Sequence, residues 1–496
     1  MPAGLKINRH LLFRKASTPI SRFGVLRAQR RITTMDAPPS PPGRNKRKTA
    51  NEPISPPPIK RKAQSTISKG AVANFFTPTS QKPKDRTIWS ERASSDDTPA
   101  TLLVGKYEPE AKSESDSEPS SAKRRKIAAF DLDSTLILSA SGKKFSTEPQ
   151  DWKWWSPSVP SKLRTLHNEG YLVVILSNQA GLALSPPTNP KAPKGTWRQK
   201  LSNFKTKVGL VLQDLNIPTT VYAATSKDMF RKPRTGMWTQ LCEDAGLELR
   251  DVDREGSVFV GDAGGRVAIR GKDKDFSCSD RNFAHNVKIA YKTPEEYFLG
   301  EPPRDFVREF DLAAFPYEED CNGGKEVVFE KGDRQVKDVV LFCGPPGAGK
   351  STFYWRYLKD CGYERVNQDL LKSRAKCFKT AGELLEDGRS VVVDNTNPDP
   401  DGRKEWINFA KKHGVEIRCV WFKIPKALSE HNDVVRALNA KMNPESREAL
   451  PGMAFNGYFS RFREPTTKEG FKDVTPVEFK FRGTREEYEI WGRYWT

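Results

Sequence analysis

Short apolar runs recur at Ile127–Asp131, Leu172–Ser177, Thr220–Ala224 and Val258–Gly261. Helical patterns, notably Lys200–Leu215 and Met237–Ala245, separate them. Strands alternating with helices imply a parallel sheet. Residues 300–335 then carry prolines, glycines and little periodicity, as a linker would. A second alternating set opens at Val339–Cys343 and continues through Val391–Asp394 and Glu416–Trp421. The pattern predicts an α/β chain with two parallel-sheet domains, residues 102–320 and 325–496. Before them, residues 1–101 are expected to form a disordered arm.

Composition supports the arm. Only 36% of the 496 residues are hydrophobic, low for a chain packed throughout. Residues 36 to about 100 are rich in Pro, Ser and Lys. Residues 1–34 are rich in Arg, hold no acid and interleave apolar side chains, the pattern of a mitochondrial transit peptide or of a plain basic tail. Met35 follows and offers a second start. Lys46-Arg47-Lys48 and Lys60-Arg61-Lys62 have the spacing of a bipartite nuclear import signal, so a nuclear protein is expected, with a mitochondrial form from residues 1–34. Val72–Phe76 resembles the hydrophobic plug of peptides that bind the sliding clamp of replication, with Lys69 where glutamine is usual. Ser113, Ser115 and Ser117 alternate with acids, as a phosphorylation patch or a solvated linker would.

The net charge of +20 favours a polyanionic partner. Seven scattered cysteines without a CxxC pair argue against a zinc module or disulfide framework. No apolar run approaches the roughly 18 residues of a membrane span. No membrane association is expected, and a monomer is.

Two constellations carry chemistry. The first is Asp131-Leu132-Asp133-Ser134-Thr135, just after a predicted strand. Parallel sheets place their sites at such strand ends. One carboxylate can attack phosphorus while the other protonates the leaving alkoxide. Two neighbouring acids repel, so Mg²⁺ is expected to share their charge. Later strand ends add Ser177 for the phosphate, Lys232 to neutralise it and Asp262 for the metal. This set resembles the haloacid-dehalogenase-like phosphatases. The resemblance implies Asp131 as nucleophile, Asp133 as general acid and base, and Mg²⁺ held by Asp131, Asp262 and the Asp133 carbonyl. Asp280 reads as a loop acid and a less favoured ligand. Trp152, Trp154 and Trp155 could stack on unpaired bases or anchor the core.

The second constellation is GPPGAGKST at Gly344–Thr352, a phosphate-binding loop between a strand and a helix. Gly344, Gly347 and Gly349 let backbone amides turn toward phosphates. Lys350 is expected to reach the β- and γ-phosphates of ATP, Ser351 to bind Mg²⁺, and Thr352 completes the loop. Asp369, at the next strand end, is the candidate base for an acceptor hydroxyl. Asp394–Asn397 could support metal or acceptor. Arg436, in a helical stretch suited to a lid, could bridge the transferred phosphate. Arg403 reads as structural.

Together these halves resemble the eukaryotic polynucleotide kinase 3′-phosphatases. The segments that carry the resemblance are DLDSTL, SNQAG, FRKP, VGDAGGR and KDFSCSDRNFAHN in the first half, and GPPGAGKST, VNQD and DNTNPD in the second. It implies repair of DNA strand-break ends, with ATP-dependent phosphorylation of a 5′-hydroxyl and hydrolysis of a 3′-phosphate. Gln368 stands where the family often has Arg, which weakens a phosphate contact expected there. The alternative is a fused small-molecule kinase and phosphatase acting on nucleotides or sugars, which leaves the basic charge unexplained.

Overall fold

The computed structural model describes residues 85–95, 97–110, 124–143, 148–186, 195–318 and 336–496. The 1–34 stretch, both Lys-Arg-Lys clusters, Val72–Phe76 and Ser113–Glu118 lie outside the described residues.

The strands of the first half are β1 (Thr87–Arg92), β2 (Leu102–Tyr107), β3 (Ile127–Phe130), β4 (Ile137–Leu138), β5 (Lys153–Trp154), β6 (Leu172–Asn178), β7 (Thr219–Ala224), β8 (Val258–Val260) and β9 (Ala290–Lys292). Seven of them form one sheet in the order β1-β2-β7-β6-β3-β8-β9, and β4 and β5 pair separately. The chain steps outward from β3 through β6 to β7 and then returns to β8 on the other side. This puts a topological switch point at β3, where α/β sheets hold ligands.

Order begins before Leu102. Strand β1 falls in the stretch assigned to the arm and pairs antiparallel with β2, Thr87 opposite Tyr107. It is an edge strand with Ile88 70% exposed, so no apolar run announced it. Strand β2 also meets β7 antiparallel, so the sheet is parallel only from β7 to β9.

Helices α1 (Val159–Asn168) and α2 (Thr196–Leu215) cover one face, and α3 (Gly236–Asp244) and α4 (Ser279–Val287) the other. Side chains alternate across a strand, so β3 feeds both cores. Ala128 and Phe130 pack with Leu163 and Val208, while Ile127 and Ala129 pack with Trp238 and Phe283. Each fully buried large apolar side chain stabilises the fold by roughly 1.5–3 kcal/mol. Trp152, Trp154 and Trp155 pack part-buried on the first core, and Trp154 Nε1 donates to Asp214 at 2.7 Å. They act as an anchor for the β4–β5 hairpin.

The second half holds β10 (Asp338–Cys343), α5 (Lys350–Phe353), β11 (Tyr363–Val366), α6 (Gln368–Leu371), α7 (Arg374–Glu386), β12 (Ser390–Val393), α8 (Pro400–Lys412), β13 (Glu416–Lys423), α9 (Lys426–Leu438), α10 (Gly452–Arg461), β14 (Val474–Glu478) and α11 (Arg485–Trp491). Its all-parallel sheet runs β11-β12-β10-β13-β14, with β10 at the switch point. Helix starts follow local chemistry. Asn367, Ser373 and Asp399 cap α6, α7 and α8 through side-chain oxygens, and Thr484 and Glu487 form a capping box on α11.

A further apolar cluster joins residues of both halves. Leu312, Leu428, Val435, Trp491, Tyr494 and Trp495 are buried together, with Met229, Phe310 and Phe315 packed against them. Among the described residues no helix is long and apolar enough to cross a membrane.

Candidate active sites

The first site forms at the carboxyl ends of β3, β6 and β8. Asp131 follows β3 directly, and its amide donates to the Val260 carbonyl at 2.9 Å. The chain then turns through Ser134 at φ 60, and the Ser134 amide donates to the Ile137 carbonyl at 2.9 Å. A left-handed non-glycine residue here is uncommon and marks a turn fixed by its surroundings. Lys232, in the loop between β7 and α3, donates from Nζ to Asp131 Oδ1 at 2.7 Å and reaches Asp280 Oδ1 at 2.8 Å. Gln179 Nε2 donates to Asp133 Oδ2 at 2.6 Å and to Ser177 Oγ at 3.0 Å. The residues expected here, Asp131, Asp133, Ser177, Lys232 and Asp262, thus share one site.

Asp280 joins them. It is not a loop acid: it lies in the first turn of α4, 2% exposed, and accepts from the Ala263 amide at 3.1 Å. Gly261 makes the approach possible, since a Cβ there would lie 2.2 Å from Asp280 Oδ2. The sequence offered Asp280 only as a less favoured ligand, because the contact is made across a helix and a strand end that only the fold brings together.

One oxygen from each of Asp131, Asp262 and Asp280 lies within 4.8 Å of the others. Lys232 answers part of this charge. Burial, then the Asp131 and Asp280 charges, push Asp262 up to about 8. Burial also raises Asp280, to about 6, against the lowering effect of Lys232. Burial alone would depress Lys232, but Asp131 and Asp280 outweigh it and hold the ammonium above its ordinary value. A carboxylate cluster short of positive charge suits a hard divalent cation with oxygen ligands. Asp133 reaches the surface, yet its carboxyl is raised, first by desolvation and then by the Asp131 charge. A raised carboxyl holds its proton more readily than a free one, which suits a general acid.

The second site surrounds the loop after β10. Gly347 has φ 73, and a Cβ there would lie 2.2 Å from the Ser429 carbonyl oxygen. Asn432 on α9 secures it, Nδ2 donating to the Gly347 carbonyl at 2.9 Å. Lys350 Nζ donates to the carbonyls of Gly344 at 3.1 Å and Pro345 at 2.6 Å. Burial pushes this ammonium down to about 8, and an incoming phosphate would restore the charged form. Ser351 Oγ donates to Asp394 Oδ2 at 2.9 Å, an oxygen pair that suits Mg²⁺. A cavity of about 1000 Å³ is lined by Gly347, Lys350, Ser351, Thr352, Asp369, Asp394 and Arg436, among others.

Asp369 lies in the first turn of α6 with its side chain 75% exposed and Arg447 Nη1 3.7 Å away. Arg436 is held by Asp433, and burial lowers its guanidinium. Arg403 is fully buried, doubly bonded to Glu469 at 2.8 Å, and braces the Asp394–Asn397 segment through the Asn397 carbonyl at 3.2 Å. Sequence reading missed Arg365. From β11 it donates to Asp394 at 2.7 Å, to Ser351 Oγ at 2.9 Å and to Glu445 at 2.7 Å. A lone strand arginine carries no motif, so nothing in the sequence marked it.

Comparison with known proteins agrees with this division. Residues 126–298 match the family described as polynucleotide kinase 3 phosphatase, and residues 339–465 match an AAA domain. The bifunctional polynucleotide phosphatase/kinase of Schizosaccharomyces pombe is 37% identical over 75% of this chain and 84% of that protein. A protein of Acanthamoeba polyphaga mimivirus that carries the same name provisionally is 30% identical over 74% of this chain and 88% of its own. The polynucleotide 3′-phosphatase of Saccharomyces cerevisiae is 28% identical over 35% of this chain and 87% of its own length.

Proposed function

The chain belongs to the family of bifunctional polynucleotide phosphatase/kinases, and from that premise we propose that it restores ligatable ends at DNA strand breaks. It removes a 3′-phosphate at the first site and phosphorylates a 5′-hydroxyl with ATP at the second. The single observation that carries this reading is the pairing of two complete phosphate sites at the switch points of two sheets. The net charge of +20 supports a polyanionic substrate bound through its backbone. The fused small-molecule alternative is not favoured, because relatives spanning both halves are polynucleotide enzymes by name.

At the first site the Asp131 carboxylate attacks the terminal phosphorus and forms an aspartyl-phosphate. Asp133 gives its proton to the departing 3′-oxygen, then accepts one from the water that hydrolyses the intermediate. Ser177 and Lys232 bond the phosphate oxygens. Asp131, Asp262 and Asp280 would hold Mg²⁺, which supplies charge neutralisation between phosphate and carboxylates. At the second site the loop amides and Lys350 hold the nucleotide phosphates, with Ser351 and Asp394 as candidate Mg²⁺ ligands. Asp369 takes the proton of the attacking 5′-hydroxyl, and Arg436 faces the transferred phosphate.

End-labelled oligonucleotides bearing a 5′-hydroxyl or a 3′-phosphate test the reading, with Mg²⁺ and with or without ATP. Phosphate release without ATP and phosphorylation with ATP are expected. Asp369→Asn should lower kinase turnover far more than ATP affinity. Activity on free nucleotides alone would overturn the proposal.

A further inference from the structure

The loop that carries Lys232 is braced from two sides. Asn178, at the end of β6, accepts from the Lys232 amide at 2.9 Å and donates to the Lys232 carbonyl at 3.0 Å. On the other side Asn286, in the last turn of α4, donates to the Pro233 carbonyl at 2.8 Å. The same amide group donates to the Tyr494 carbonyl at 2.7 Å, and its oxygen accepts from the Tyr494 amide at 2.9 Å. Arg234 spans the loop, with Nη1 donating to the Asp228 carbonyl at 2.7 Å and Nε donating to the Trp495 carbonyl at 3.1 Å. Two of the side chains that shape the loop therefore complete their hydrogen bonding on the segment after α11, which belongs to the kinase half.

That segment is itself well fixed. Tyr494 and Trp495 are buried, the Arg308 guanidinium lies 4.9 Å from the Tyr494 ring centroid, and the His285 ring lies 5.2 Å from it. Its helix also reaches the phosphate loop. Trp491 Nε1 donates to Asn432 Oδ1 at 2.7 Å, and Asn432 secures Gly347.

We propose that Tyr494–Trp495, acting through Asn286 and Arg234, is a positioning element for Lys232, so that phosphatase turnover depends on a segment of the kinase half. The inference rests on the phosphatase reading of the first site. The physical reason is reach. Lys232 Nζ serves Asp131 and Asp280 at hydrogen-bond distance, and small misplacements of a reacting group are costly. Asn286 and Arg234 bond the backbone of the loop rather than Asp131, Asp133 or Asp262, so they act through Lys232. An unbroken series of contacts is not by itself coupling between sites, so the test separates the two activities.

Asn286→Ala should lower 3′-phosphatase kcat about tenfold while KM for a 3′-phosphate oligonucleotide stays within about twofold. The 5′-kinase rate of the same preparation should be unchanged, which also reports that the chain is folded. Arg234→Lys, which keeps one donor, should fall between wild type and Arg234→Ala. A chain ending at Arg493 should show the same phosphatase loss. Wild-type phosphatase kcat in Asn286→Ala, a change in KM alone, or an equal fall in both activities would overturn the inference. Failure of the wild-type protein to release 3′-phosphate would instead sink the phosphatase reading.

Discussion

Asp262 and Asp280 are pushed up to about 8 and about 6, with burial the larger cause in each case. A carboxyl that holds its proton more tightly in the fold contributes stability below its ordinary value of 3.8. That contribution is lost as pH rises through about 6 and about 8. Mg²⁺ relieves the repulsion only once the carboxylates are ionised. Mg²⁺ should therefore raise the melting temperature more at about pH 8 than at about pH 6. Asp262→Asn should raise the melting temperature in chelator at the higher pH and remove most of the Mg²⁺ increment. Equal increments at both pH values, or a full increment in Asp262→Asn, would contradict the carboxylate cluster as the metal site. Asp131, Asp133, Ser177 and Asp262 were legible because each sits at or beside a strand end, where a parallel sheet gathers its chemistry; Lys232, in the loop after β7, was legible through the resemblance. Asp280 was read only as a less favoured ligand, and Gln179 and Arg365 were not singled out, because their partners are supplied only by tertiary packing.

The elements show the same division. Strands β3, β6, β7, β10 and β12 declared themselves because burial on both faces demands continuous apolar residues. Edge strands β1 and β14 did not, since their half-solvated, mixed sequences resemble loops. Helix α8 was not singled out in the sequence, but its Arg403 reads there as structural and has a packing role. The guanidinium is fully buried, doubly bonded to Glu469 and also bonded to the carbonyls of Asn397 and Pro398 at 3.2 and 3.1 Å. Removing one partner of a buried pair leaves an uncompensated charge. Arg403→Ala should therefore cost about 3–5 kcal/mol in a denaturant titration. The double substitution Arg403→Met with Glu469→Leu should cost clearly less. A loss below about 1 kcal/mol for the single change would show that the pair does not anchor α8.

At the scale of the whole molecule, the order of the two halves and the separate chemistry of each were readable from motif spacing and the sense of the sheets. The way the halves meet was not. Tyr494 and Asn286 are 208 residues apart, and the aromatic segment that joins them looks in sequence like any amphipathic helix end. The cluster of Leu312, Leu428, Trp491 and Trp495 explains why two sites of opposite chemistry travel as one body. Adding and removing phosphate in one chain is coherent when the two reactions serve opposite termini of a broken strand. The most direct test uses a nicked duplex with a 5′-hydroxyl and a 3′-phosphate, incubated with Mg²⁺ and ATP and followed at each end. Asp131→Ala should lose 3′-phosphate release and retain 5′-phosphorylation, Lys350→Ala should do the reverse, and a mixture of the two should restore a ligatable nick. Loss of both activities in either variant, with the fold intact, would contradict two separate sites.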